Sequence, residues 1–126
     1  MGEIVEAPRQ PEDLTQPLID IAVESWKFAR IFLRVVSKLD AGEGSRFLSQ
    51  HRYYMRRLEE TLLVAGLRLV NVEGHAFDPG VPATPLNMGD FSPDDQLVVD
   101  QMVEPILMGP NSVVRSGTVM VRKAKQ

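Results

Sequence analysis

The chain of 126 residues contains no cysteine, so neither a disulfide framework nor a thiolate metal centre is open to it. Its histidines are two, His51 and His75, and neither stands in an HxxxH or HxxE spacing, so a metal site lacks converging ligands. No GxSxG elbow, P-loop or GxGxxG turn is present, and the short Gly42-Glu43-Gly44 reads as a turn rather than a phosphate cradle. No apolar run approaches the roughly eighteen residues of a membrane span. The start, MGEIVEAPRQPEDLTQP, has no apolar stretch behind a basic one, so no secretory leader is expected and the cytoplasm is the expected compartment. Surplus positive charge is missing too: the formal net charge is -3 and the pI about 5.4, which argues against nucleic acid as a partner. These absences leave no basis for an enzyme, a cofactor or a metal.

What is present is a soluble-protein composition, 44% apolar and 25% charged, in a length that buries only a modest core and for which oligomerisation is a usual remedy. Residues 1–16 have two prolines, several acids and no periodicity, and are expected to be a disordered tail. A helical bundle segment is expected over 17–66 and a small β domain over 67–126.

Pro17 to Leu39 has the strongest pattern. Ile19, Ala22, Trp26, Ala29, Leu33 and Val36 recur at three and four, and a second seam of Ile21, Phe28, Phe32, Val35 and Leu39 runs beside them. So wide a stripe needs more than one neighbour. Thr15 is the expected N-cap, with Pro17 just inside the start. Asp40 to Gly44 reads as a turn, and Ser45 to Ala65 as a second helix carrying Phe47, His51, Tyr54, Leu58 and Leu62 on one face, with Gly66 at a left-handed C-cap. Beyond Gly66 the period becomes two. Leu67 and Leu69 suggest a strand, Phe77-Asp78-Pro79-Gly80 and the prolines at 82 and 85 a loop. Leu97–Leu107 and Val113–Arg122 form the expected hairpin around Gly109-Pro110-Asn111-Ser112. The fold class is therefore α+β, a helical hairpin followed by a small antiparallel β domain.

Arg46, Arg52, Arg56 and Arg57 lie near Tyr53 and Tyr54 on the second helix. They suit an acidic protein surface better than nucleic acid, given the acidic balance. The acidic pairs Asp94-Asp95 and Asp100 with Glu104 read as a solvated edge. Two seams on one helix leave two arrangements open. Either a second chain completes a four-helix bundle, with Ile19, Ala22, Trp26, Ala29, Leu33 and Val36 as the dimer interface, or the β unit folds back over the second seam.

Gly66-Leu67-Arg68-Leu69-Val70, then Phe77-Asp78-Pro79, then Val114-Arg115-Ser116-Gly117-Thr118-Val119-Met120-Val121 with a basic end resemble, in order and separation, the C-terminal half of the GrpE family, the nucleotide exchange factors of DnaK-type chaperones. The resemblance runs from about Pro17 to the C-terminus. It implies a homodimeric helical bundle carrying β wings, one of which opens the nucleotide-binding domain of a DnaK-type chaperone so that ADP leaves. The factor prefers the open chaperone and shifts that population. It also implies Phe77, Pro79, Val103 and Val121 as apolar partner contacts, and Arg115 as either a partner contact or a brace of the hairpin. The chain departs from the family pattern at Pro82, Ile106-Leu107, Ser112 and Ser116-Gly117, and has no long N-terminal stalk helix. The same fold without exchange activity, a protein-interaction or regulatory module, is the alternative.

Overall fold

The computed structural model describes residues 14–124. Most of the expected tail lies outside them. Thr15 and Gln16, however, belong to the first helix, α1 (Thr15–Val36). Thr15 is not a cap: Leu14 holds that position, and no side chain accepts a hydrogen bond there. Instead the first turn is tied by Gln16 Nε2, which donates to Asp20 Oδ1 at 2.8 Å.

The second helix, α2 (Ala41–Val64), starts four residues earlier than its periodicity suggests. The reason is Asp40, whose Oδ1 accepts from the Glu43 amide at 2.9 Å and so caps the helix. With that cap Gly42 and Gly44 become the first turn rather than a loop. At the other end Gly66 adopts φ +77°. Its amide donates to Leu63 O at 2.9 Å and that of Leu67 to Leu62 O at 3.0 Å, the paired bonds that close a helix through a left-handed residue. Leu62 and Leu67 then meet in the core.

The rest is two small sheets. Strands β1 (Arg68–Val70), β2 (Ala76–Phe77) and β3 (Ala83–Pro85) are short. Then come β4 (Leu97–Glu104), β5 (Ile106–Met108), β6 (Val113–Arg115) and β7 (Gly117–Lys123). One sheet has the order β1-β5-β6, the other β2-β4-β7-β3. The expected hairpin is therefore shared: its outer half, β5 and β6, lies in the first sheet and its base, β4 and β7, in the second. The change of sheet falls at Pro105, which has no amide to give a ladder, and across from it at Ser116-Gly117. Gly117 is required there, because a Cβ would sit 2.8 Å from Glu104 O and 2.9 Å from Ile106 Cγ1.

The domain is not purely antiparallel. Ala83–Pro85, within the stretch read as a proline-rich loop, runs parallel to Gly117–Val119. It is an edge strand, where a proline costs no ladder bond. Register shifts in the β4–β7 pair leave Asp100 and Val103 without opposite partners, so Val103 is a bulge residue turned out of the ladder.

Two buried clusters join helices to sheets. Trp26 packs with Leu97, Val99, Met102, Ile106, Val119 and Val121. Ile19, Ala22, Val23, Leu62, Leu67 and Leu107 make the second. Neighbouring residues of β5, Ile106 and Leu107, feed different clusters, and both are fully buried. The helical segment and the β segment are thus continuous through the core.

Candidate interaction surfaces

The first seam of α1 faces inward. Ile19, Ala22, Trp26, Ala29 and Val36 are buried within the single chain, and Leu33 is half-buried. Within the single chain the β unit and α2 cover most of these side chains, so they offer little surface to a second chain as a dimer interface. The seam left open is the other one. Ile21, Phe28 and Val35 are 64%, 66% and 54% exposed.

The open seam has its own repeat. Leu14, Ile21, Phe28 and Val35 recur every seven residues, and Leu18, Ser25, Phe32 and Leu39 follow each by four. That spacing brings a helix against another helix by interdigitating side chains. From α2, Phe47 stands edge-on to Phe32 at 6.3 Å, and His51 stacks on the same ring at 6.3 Å. Between the helices lies an apolar groove of about 380 Å³ lined by Phe28, Ala29, Phe32, Gln50, His51 and Tyr54. Among the described residues no Asp, Glu, Lys or Arg lines it. His51 is thus part of an aromatic cluster.

A second groove, of about 260 Å³, runs between α1 and β4. Trp26 and Met102 floor it, Lys27, Arg30, Ile31 and Arg34 form the helical rim, and Gln101 and Val103 the strand rim. Two carboxylates fasten its sides. Glu73 accepts from Arg30 and, at 2.8 Å, from the Met102 amide on the edge of β4. Burial by itself would raise its pKa. The Met102 amide, the Arg30 guanidinium and the Asn71 amide outweigh this and hold the carboxyl below its ordinary value. Glu104 meets Lys27 at 3.4 Å and Arg115 at 3.2 Å. It too is held low, burial opposing and these two cations prevailing. Arg30 also lies over the Trp26 ring, 4.9 Å from its centroid.

The residues that the resemblance implies as partner contacts do not share one surface. Val121 is buried in β7 at 3% exposure. A side chain sealed in the core meets no partner while the fold is intact, so its place among the contacts is corrected. Phe77 is half-buried against the same core. Pro79 is exposed, in a turn closed by Asp78 Oδ1 accepting from the Gly80 amide at 2.7 Å. Val103 lines the α1–β4 groove. Arg115 is half-buried and bound to Glu104, the arrangement of a brace. Sequence reasoning missed Lys27, Arg30 and Glu73 as a set. Their ties between helix and β unit, Lys27 to Glu104 and Arg30 to Glu73, span 77 and 43 residues, and no local spacing announces them. Of α2's arginines, Arg46 and Arg57 pair with acids of their own helix, Glu43 and Glu60.

Among the described residues no group of three or more His, Cys, Asp or Glu is placed to hold a metal, and no helix is long and apolar enough to cross a membrane. Compared with protein-family models, with curated proteins and with solved structures, the chain matches none of them.

Proposed function

We propose that the chain works by docking rather than catalysis, as a GrpE-like co-chaperone: it pairs with a second copy through its helices and offers its β unit to the nucleotide-binding domain of a DnaK-type chaperone, promoting ADP release. The observation that carries the docking half is the apolar heptad face of α1 left open beside α2. An uncovered apolar stripe this long is unusual on a monomer. Two such helix pairs related by a two-fold axis cover it in a four-helix bundle. The choice of chaperone rests on the ordered resemblance of Gly66–Val70, Phe77–Pro79 and Val114–Val121 to the GrpE family.

A second reading keeps the docking and drops the exchange. The burial of Val121 and the engagement of Arg115 by Glu104 favour it, because they take two of the five implied contacts away from a partner, while Phe77 and Val103 are half-buried and Pro79 alone is fully exposed.

The release rate of a fluorescent ADP from a DnaK-type chaperone, with and without this protein, separates the two. Acceleration that Pro79→Asp and Val103→Asp remove supports exchange. Binding without acceleration supports the interaction module. Absence of both binding and acceleration would exclude the chaperone as partner.

A further inference from the structure

Charge is unevenly placed along α1. Residues 25–39 hold four cations, Lys27, Arg30, Arg34 and Lys38, and no acid, in a chain whose formal net charge is -3. Their spacings of three, four and four residues set them along one face of the helix. The first three form the helical rim of the α1–β4 groove, and the strand rim opposite, Gln101 and Val103, is uncharged. The two acids of β4 are engaged, Asp100 by Arg122 at 3.1 Å and Glu104 by Lys27 and Arg115.

Glu73 and Glu104 hold Arg30 and Lys27 from the side of the sheet. These two cations are therefore fixed before any partner arrives, which lowers the entropic cost of binding to them. No ion pair among the described residues takes up Arg34 or Lys38. The floor is apolar, Trp26 and Met102, and Ile31 is 49% exposed at the lip. A basic rim beside an apolar floor complements a ligand in which carboxylates alternate with apolar side chains.

The shape narrows the choice. A groove of about 260 Å³ admits side chains but not a helix, which is about 10 Å across. The spacing agrees with an extended chain: Arg30, Arg34 and Lys38 rise about 6 Å from one to the next, and alternate residues of a strand repeat at about 6.6 Å.

We propose that the groove between α1 and β4 receives an extended acidic segment of a protein partner. Its alternate carboxylates meet Arg30, Arg34 and Lys38, and the apolar side chains between them turn to Met102 and Val103. This rests on the docking reading above and not on its choice of chaperone.

Trp26 is the only tryptophan of the chain, so its emission reads occupancy of the groove without a label. A short capped peptide of alternating glutamate and leucine, titrated into the full chain, should change that emission saturably, and less tightly at high salt. Arg34→Glu should weaken binding about fivefold, through one surface pair lost and the repulsion that replaces it. Arg57→Glu makes the same change of charge on α2, where Arg57 meets Glu60, and should leave binding within about twofold. Val103→Asp should weaken it about tenfold, by setting a carboxylate against an apolar side chain. Neither the same peptide with lysine for glutamate nor a thymidine homopolymer should bind. No change of emission, equal losses from Arg34→Glu and Arg57→Glu, or binding of the lysine peptide or the oligonucleotide as tight as that of the glutamate peptide would overturn the proposal. ADP release bears on the chaperone alone: a saturable titration without acceleration removes the chaperone and keeps the groove, and acceleration with a silent titration does the reverse.

Discussion

The inner and outer faces of α1 are built from the same kinds of residue at the same spacings, and they differ in what lies opposite. The inner face meets β4, β7 and α2, and its tryptophan is sealed in a core. The outer face meets only part of α2, and its Phe28 stays two-thirds exposed. Periodicity within a helix therefore says that a stripe is apolar, not which neighbour takes it. That is settled by the chain's own connections: the Gly66 cap turns the backbone out of α2 and into β1 on the side of Leu62, and the sheets close over Trp26.

The sharpest way to break the comparison is to truncate each face in turn. Trp26→Ala should cost about 3–5 kcal/mol of unfolding free energy, measured by denaturant titration, because it empties the joint between helix and sheet. A loss below about 1 kcal/mol would contradict the buried position. The joint between the sheets comes next. Gly117→Val places atoms against Glu104 O and Ile106, and should cost about 1–3 kcal/mol. On the outer face, Ile21→Lys with Phe28→Asp should change the stability of the isolated chain by only about 0.5 kcal/mol, yet abolish self-association in sedimentation equilibrium. Sedimentation identical to the parent, or a parent that is monomeric at high micromolar concentration, would remove the outer face as a pairing surface.

A further test sharpens the comparison through pH. Glu73 and Glu104 have folded-state pKa values below their unfolded ones. Their contribution is fully present above the unfolded carboxylate value of about 4.3 and is lost as pH falls through the lowered folded values. Glu73→Gln should cost about 1–2 kcal/mol at neutral pH, through the Met102 amide and Arg30 losing a charged acceptor. It should also flatten the fall in stability as pH drops below the unfolded carboxylate value of about 4.3. An unchanged acid limb in thermal melts would mean that Glu73 does not tie α1 to β4.

Both helices, the Gly66 cap and the final hairpin are legible in the sequence, because each rests on contacts a few residues apart. The early start of α2 was hidden by Gly42 and Gly44, whose low helix propensity masks the Asp40 cap. The strand at Ala83–Pro85 was hidden by Pro85 and by Pro82 just before it, which an edge position tolerates. The division of the hairpin between two sheets could be read only from Pro105, and only once its partner Gly117 was in place. The assignment of faces on α1, and the clamps of Glu73 and Glu104, depend on pairings across much of the chain. A spacing rule does not see those. The site residues carried from the resemblance inherited this limit, since alternation marks Val121 as one face of a strand without saying that the face points inward.

Strand β5 has a consequence for how the molecule comes apart. Ile106 and Leu107 stand side by side in the chain but anchor opposite clusters, so neither cluster can melt without withdrawing a side chain next to one that secures the other. Calorimetry should therefore record one heat-absorption peak, and the slowest-exchanging amides of α1 and of β4–β7 should share a single opening free energy. The chain, although it reads as helices first and strands later, behaves in that sense as one structural unit.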